Sequence, residues 1–269
     1  MASARAPWRA LWGLLLFVAA GWAGAVDAGR APSRVVSLDL CTDWMVARHL
    51  PANHVAALSP MHRRYPVEWV DDRMPVHDGT LEQILARRPD LVITGQYNAL
   101  TLRQRLQSLG VRVVVLPLPL SLADVARYEQ AFLSAVGLPQ ALARQPLPQA
   151  QPGVEARPRL LLLGANAIGT GRGTLEHDVI SQAGWDNAMS QKGHAVLDLE
   201  HLIRVPPDAI LWAAPGHAAQ ANRFGQHPVL RQLVPAARWR SSDYWPWQCP
   251  GPWTWDLIEQ LTSWRNELH

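Results

Sequence analysis

The sequence predicts an α/β protein built as two lobes of similar architecture, joined by a helical linker. Segments with strand character alternate with segments of helical periodicity along most of the chain. The stretch LEQILARRPDLVI at residues 81–93 recurs as LEHLIRVPPDAIL at residues 199–211, with four of thirteen positions identical. Between the two copies, a polar segment rich in proline marks the boundary between the lobes.

The repeated unit describes the same local structure in both places. A short helix begins at a capping residue, Thr80 or Asp198, and ends at a proline, after which an aspartate and an apolar run of buried-strand type follow. Glu82 and Glu200 occupy the first helical turn, where the helix dipole stabilises an exposed anion. From the residues alone, these two glutamates are either good first-turn residues or a matched pair of acidic groups.

The first 25 residues have the features of a secretory signal peptide. Arg5 and Arg9 precede the apolar run 10–20, and Ala23-Gly24-Ala25 fits a cleavage site. The apolar run is too short to span a membrane, and no cysteine stands at the cleavage site. We therefore expect an exported, soluble, periplasmic protein without a lipid anchor.

The composition favours a packed globular protein and gives no support for nucleic-acid binding. Hydrophobic residues make up 48% of the chain and charged residues 17%. Without the two arginines of the signal peptide, 23 basic residues face 22 acidic ones, and no basic run stands out.

The first lobe is predicted to cover residues 26–120, with strands and helices that alternate as in a largely parallel sheet. A long loop, residues 59–79, precedes the first copy of the repeated unit. The predicted strands are 34–40, 54–58, 91–94 and 111–116, and the predicted helices are 42–50, the helix of the repeated unit, and 99–109.

A linker over residues 121–157 and a second lobe over residues 158–269 complete the prediction. Residues 121–136 have helical periodicity, and the prolines follow in the polar segment. In the second lobe we expect strands at 159–163 and 237–241 beside that of the repeated unit, a loop at 164–173, and helices at 174–183, 228–234 and 252–268.

Three motifs resemble those of periplasmic substrate-binding proteins of ABC importers for cobalamin and iron–siderophores. They are Arg34-Val-Val-Ser-Leu38, the Leu-Glu…Pro-Asp unit in both lobes, and Gly169-Thr-Gly-Arg-Gly-Thr174. The resemblance covers essentially the whole mature chain and implies two Rossmann-like α/β lobes, joined by a long helix, with a ligand cleft between them. The linker departs from the family because it is short and interrupted by prolines. Either helix 121–136 takes the connecting role or the link is less regular.

The resemblance also implies a partner in the inner membrane. In this family one surface glutamate of each lobe docks against arginines of the ABC permease, and by motif position these are Glu82 and Glu200. Two anions about one protein diameter apart also suit a two-fold symmetric permease. We expect a monomer that carries no resident cofactor and catalyses no reaction.

We expect the ligand at the carboxyl ends of the strands, where open α/β sheets bind ligands. Arginines there would suit carboxylate, phosphate or catecholate groups of a ligand. Pro215-Gly216 stands at one of these strand ends. The candidate ligand-binding residues are Cys41, Met61, His62, Arg63, Gln96, Tyr97, Asn166, Arg172, Trp245, Trp247 and Cys249.

Residues 244–255, YWPWQCPGPWTW, contain four tryptophans. Tryptophan supplies flat, rigid apolar area, which suits a large planar ligand such as a corrin, a haem or an aryl siderophore. We expect Trp245 and Trp247 in the cleft, and Trp253 and Trp255 packed on the final helix.

Cys41 and Cys249 are the only cysteines, and their interpretation stays open at this point. An even count in an exported protein favours a disulfide. The fold, however, places one in each lobe, so that a bond would tie the lobes together. Two thiols facing the ligand and two inertly buried thiols are the alternatives.

These features predict a binding protein that delivers a corrinoid or a ferric siderophore-type metal chelate to an ABC importer. The alternatives are haem or a free metal ion as the ligand and, in a different class, a periplasmic enzyme on the same scaffold. No HExxH motif or cysteine–histidine ribbon indicates a resident zinc, and no GxSxG elbow indicates a hydrolase.

Overall fold

The computed structural model describes residues 31–144, 156–214 and 220–268, with only the backbone of residues 220–222. The predicted signal peptide, the linker prolines Pro146, Pro148 and Pro152, and Pro215-Gly216 lie outside the described residues.

The first lobe is an all-parallel sheet covered by helices. Its strands are β1 (Val35–Ser37), β2 (Val55–Ala57), β3 (Leu91–Gly95) and β4 (Val113–Leu116), and its helices are α1 (Leu40–His49), α2 (Met61–Arg64), α3 (Leu81–Ala86) and α4 (Leu100–Ser108). The strand order is β2-β1-β3-β4. The central strands β1 and β3 are mainly apolar and almost entirely buried, as expected for a sheet with both faces covered.

The second lobe is a six-stranded mixed sheet. Its strands are β5 (Arg159–Leu163), β6 (Ile168–Thr170), β7 (Asp186–Asn187), β8 (His194–Val196), β9 (Ala209–Trp212) and β10 (Trp239–Ser241), and its helices are α6 (Leu175–Gln182), α7 (Leu199–Arg204), α8 (Pro228–Leu233), α9 (Trp245–Gln248) and α10 (Thr254–Asn266). The strand order is β10-β9-β5-β6-β8, and β7 pairs with β5. Strands β10, β9, β5 and β7 run parallel, whereas β6 pairs antiparallel with both of its neighbours.

The repeated unit forms the same hydrogen-bonded structure in both lobes. The Asp90 carboxylate accepts hydrogen bonds from the backbone N–H groups of Ser33 (2.7 Å) and Arg34 (3.0 Å). The Asp208 carboxylate accepts one from the backbone N–H of Arg159 (2.7 Å). In turn, the side chains of Arg34 and Arg159 donate to backbone carbonyls at the end of the helix of the same unit. Each Pro-Asp pair thus joins the helix end to the start of the lobe's first strand.

Helix α5 (Leu122–Ala135) connects the lobes, as one of the two sequence interpretations of the linker predicted. Val125 packs in the core of the second lobe, whereas Phe132 and Leu133 belong to the core of the first. At its beginning, the backbone N–H of Leu122 donates to the Asp178 carboxylate of α6 (3.3 Å). The predicted fold class, two α/β lobes with a helical connection, is therefore confirmed.

Some elements differ from the sequence prediction. The expected loop 59–79 contains the short helix α2, and the expected loop 164–173 contains β6. Residues 245–248 form the short helix α9, which accommodates Pro246 because a missing N–H costs nothing in the first turn of a helix. Strands β7 and β8 were not predicted, since each is a short edge segment with little apolar periodicity.

Candidate functional site

The carboxyl ends of β1, β3 and β4 surround a small cavity at the boundary between the lobes. Asp39, which follows β1, is buried and caps α1, where it accepts a hydrogen bond from the Thr42 N–H (3.1 Å). Its other carboxylate oxygen accepts from the Thr94 hydroxyl (3.1 Å) and the Gly95 N–H (2.7 Å). The cavity, of about 50 Å³, is lined by Asp39, Cys41, residues 95–98, residues 116–119, Tyr128 and Pro250.

Exposed apolar side chains surround the mouth of this cavity, and the side-chain amide of Gln96 joins the two loops that carry them. The Gln96 side-chain oxygen accepts a hydrogen bond from the backbone N–H of Leu118 (3.2 Å), which joins the loops after β3 and β4. Tyr97 is 70% exposed, Leu118 43% and Leu120 62%. Tyr97 and Leu118 line the cavity and Leu120 follows two residues later, so three large apolar side chains are exposed beside the mouth, and we call them the apolar patch.

Cys41 and Cys249 form a disulfide across the two lobes, which decides among the three alternatives left by the sequence. Cys41 lies in the first turn of α1, and Cys249 directly follows α9. The two sulfurs are therefore not free thiols, and the disulfide forms part of the cavity wall through Cys41.

Aromatic side chains of the second lobe pack into the first lobe beside the disulfide. Trp253 packs edge-on against Trp44, with ring centroids 5.3 Å apart, and stacks on Trp69 at 5.4 Å. Trp245 lies against Tyr65, with centroids 3.9 Å apart. Cys249 and Trp253 belong to the hydrophobic core of the first lobe. We call these five aromatic residues, together with the disulfide, the clamp.

The structure brings three of the predicted ligand residues to the cavity, namely Cys41, Gln96 and Tyr97. Trp245 and Met61 are half-buried against the core of the first lobe, Trp245 as part of the clamp. Trp253 and Trp255 are buried, but Trp253 packs in the first lobe as well as at the start of α10.

Three further predicted residues are buried, contrary to the expectation that they face the cleft. His62 is 1% exposed, and its Nδ1 lies 2.6 Å from the Ser59 carbonyl. Trp247 is 6% exposed in the core of the second lobe and donates to the Ser242 hydroxyl (2.8 Å). Cys249 is 2% exposed in the disulfide. Each of these side chains is used for internal packing.

Arg63, Asn166 and Arg172 are exposed and do not line the cavity. Asn166 adopts a left-handed backbone conformation, with φ at 57°, in the turn after β5. Arg172 donates from Nε to the Ser190 carbonyl (2.9 Å), so its guanidinium partly secures the turn after β6.

Glu82 and Glu200 occupy equivalent places on the two lobes. Both are exposed, each in the first turn of its helix. Thr80 and Asp198 cap these helices through hydrogen bonds from the backbone N–H groups of Gln83 and His201. Glu82 and Glu200 are thus exposed carboxylates at equivalent positions, one on each lobe.

Nine residues that line the cavity were not among the predicted ligand residues, namely Asp39, Gly95, Asn98, Leu116, Pro117, Leu118, Pro119, Tyr128 and Pro250. Asp39 carried a signal, since an aspartate three residues before Thr42 is a typical N-cap arrangement. Tyr128 lies in the middle of α5 and Pro250 in the clamp segment, so their positions depend on how the lobes pack.

A second, larger groove of about 460 Å³ lies along α10, but every residue that lines it belongs to the second lobe. Its charged residues are already engaged, since Asp256 and Glu259 pair with Arg144, and Arg240 pairs with Glu267. We therefore place the candidate site at the smaller cavity, where both lobes and three strand ends meet.

Within the described ranges, no group of three or more histidine, cysteine, aspartate or glutamate side chains is arranged to hold a metal ion. Over the same part of the chain, no helix has the length and apolar character needed to cross a bilayer.

Asp43 ties α1 to the loop after β2, next to the site. It accepts hydrogen bonds from the Ser59 N–H (2.8 Å) and hydroxyl (2.5 Å), and burial raises its pKa to about 8. Because the folded protein favours the protonated carboxyl, the stability that Asp43 contributes declines as the pH rises from 3.8 to about 8.

We expect the melting temperature of Asp43→Asn minus that of the wild type to increase between these two pH values, because asparagine does not ionise. A melting-temperature difference between the two proteins that does not change with pH would contradict the raised pKa of Asp43.

Comparison with known proteins reveals similarity in structure but not in sequence. No protein-family model matches the chain, and no curated protein sequence matches it. The structure resembles a periplasmic solute-binding protein of Staphylococcus epidermidis, with a TM-score of 0.67 and 14% identity over 89% of this chain and 100% of the other.

Two further solved structures are similar. One is a periplasmic haem-binding protein of Roseiflexus sp. RS-1 in its apo form, with a TM-score of 0.65 and 21% identity over 87% of this chain and 98% of the other. The other is a periplasmic vitamin B12-binding protein of Vibrio cholerae, with a TM-score of 0.57 and 17% identity over 88% and 98%. The chain has the two-lobed α/β fold of these periplasmic binding proteins.

Proposed function

We propose that the protein is a periplasmic binding protein that delivers a corrinoid or a ferric siderophore-type metal chelate to an ABC importer. The observation that carries the proposal is the two-lobed fold, with one exposed first-turn glutamate on each lobe, Glu82 and Glu200, and a cavity between the lobes. The disulfide supports an oxidising compartment such as the periplasm. The protein would act as a monomer.

The apolar mouth of the cavity supports a large, flat ligand. The cavity itself, at about 50 Å³, is far smaller than the roughly 300–1,000 Å³ of ligand pockets. A ligand of this class would therefore lie across the mouth, against Tyr97 and Leu118, or enter as the lobes separate there. Among the described residues that line the cavity, Asp39 is the only buried carboxylate, and it already accepts three hydrogen bonds within the protein, which supports binding and release without chemistry.

Haem is the second candidate ligand. It is favoured by Tyr97, whose phenol is 70% exposed at the mouth, because tyrosine is one of the axial ligands that proteins use for haem iron.

A titration separates these candidates and tests the class. Cyanocobalamin, haem and ferrichrome are each added to the mature protein while tryptophan fluorescence is followed. We expect saturable quenching by one of them, with a dissociation constant of about 1 µM or lower, because a preformed apolar mouth binds with little reorganisation. The ligand should be recovered unchanged. Turnover of the ligand would support an enzyme instead, and the absence of saturable binding would contradict all three ligand classes.

A further inference from the structure

The clamp closes one side of the boundary between the lobes. In the first sheet, with the order β2-β1-β3-β4, Tyr65 and Trp69 follow the edge strand β2, and Cys41 follows β1. All three contact residues of the second lobe through ring packing or the disulfide. The ends of β3 and β4, on the opposite side, carry the cavity and the exposed apolar patch. The boundary is thus filled by the protein's own side chains beside β2 and accessible beside β3 and β4.

The accessible side has a distinct chemical character. Apolar side chains of Tyr97, Leu118 and Pro250 line it beside the disulfide, together with the amide-bearing residues Gln96 and Asn98. The buried carboxylate of Asp39 faces the same cavity.

The charges around this cavity are unbalanced. Among the described residues that line it, none is a lysine, an arginine or a histidine. Asp39 accepts hydrogen bonds from uncharged donors only. The nearby Arg103 donates to the Gln96 carbonyl (2.8 Å) at the rim, outside the lining. An anionic group entering the cavity would meet a like charge in a medium of low dielectric, whereas a neutral N–H or O–H donor would find an acceptor.

We propose that the ligand binds on the β3–β4 side of the clamp and is a flat molecule whose edge carries amides or other hydrogen-bond donors instead of carboxylates. This inference rests on the proposed function and narrows it. Among the candidate ligands it favours a corrinoid with carboxamide side chains over haem, which carries two propionates, and over an anionic ferric catecholate.

A matched pair of corrins tests the charge preference. Dicyanocobinamide carries carboxamide side chains, and dicyanocobyrinic acid carries carboxylates on the same ring. We expect the amide form to bind the disulfide-bonded protein about tenfold more tightly or better, since one like-charge contact suffices for that ratio. Asp39→Asn, which keeps the capping oxygen, should reduce the ratio. Equal or tighter binding of the carboxylate form would overturn the proposal.

Single substitutions test the location. Tyr97→Ala and Leu118→Ala should each weaken binding by about tenfold, because they remove the apolar wall. Tyr65→Ala, on the clamp side, and Leu109→Ala, an exposed leucine at the end of α4, should change it by less than about twofold. If Tyr65→Ala abolishes binding while Tyr97→Ala does not, the site lies on the other side and the proposal is wrong.

Failure of both corrins would refute the corrinoid as the ligand but leave the siderophore and haem candidates of the proposed function, and two dyes then decide the location and charge preference of the site independently. Nile red is neutral, and 1-anilinonaphthalene-8-sulfonate is an anion. We expect Nile red fluorescence to rise on the wild type and to be lost in Tyr97→Ala and Leu118→Ala but not in Tyr65→Ala, with weaker binding of the anionic dye. Dye binding that is insensitive to Tyr97, or stronger for the anion, would overturn the inference.

Discussion

Replacing both Cys41 and Cys249 by alanine is expected to lower the free energy of unfolding by about 5 kcal/mol, because the disulfide closes a very long loop. The two cysteines are separated by 208 residues, so the bond removes many conformations from the unfolded chain. Alanine is preferred to serine, since Cys249 is buried and a hydroxyl there would lack a partner. Urea unfolding followed by circular dichroism, with and without reductant, measures the change.

The wild type in reductant provides the matched control, and it should approach the stability of the double variant. The variant should not respond to reductant at all. Two free thiols in the untreated wild type, or a stability that reductant does not alter, would contradict the assignment of the disulfide.

The clamp does not depend on the disulfide alone, and the double variant should keep its lobes together. Trp253 lies in the first-lobe core between Trp44 and Trp69, and its indole N–H donates to the Cys249 carbonyl (2.5 Å). Burying one such side chain contributes roughly 3 kcal/mol. The disulfide therefore stabilises a contact that the aromatic residues already make.

The repeated unit explains why so much of the fold could be predicted from the sequence. Its signals are local: a cap, a proline, an aspartate and an apolar strand, each within a few residues of the next. The Asp90 and Asp208 contacts then fix each unit to the first strand of its own lobe. Local signals of this kind specify secondary structure and its order, and they also placed Glu82 and Glu200 on the surface.

The clamp could not be predicted, because it depends on which lobe a side chain enters. Segment 244–253 belongs to the second lobe in sequence, yet Trp253 completes the core of the first. Apolar periodicity cannot distinguish a tryptophan that packs across a lobe boundary from one that faces a ligand. The same ambiguity led to the expectation that Trp247 and His62 face the cleft, whereas both pack inside. Asp39 was missed because its sequence position predicts only a helix cap, whereas its place beside the cavity depends on how the loops after β3 and β4 pack around it.

Reversing the charge of both glutamates proposed to dock, in Glu82→Lys together with Glu200→Lys, is expected to abolish uptake while ligand affinity stays unchanged. Each carboxylate is exposed and lies on the surface of its own lobe, away from the cavity lining. A permease with two-fold symmetry would engage both at once, so that losing either contact also removes the gain from bivalent attachment. Each single reversal should therefore reduce uptake by about tenfold or more, and the double reversal should eliminate it.

The control for this experiment reverses exposed acids elsewhere on the same lobes, Asp72→Lys and Asp186→Lys, which change the net charge equally. Uptake of the probe ligand in cells measures docking, and fluorescence titration of the purified variants measures ligand affinity. The disulfide of the clamp and helix α5 both join the two lobes, and bivalent docking depends on how these connections space the two carboxylates. If the control reversals reduce uptake as much as those at Glu82 and Glu200, the effect is one of net charge, and the two glutamates are first-turn residues without a partner.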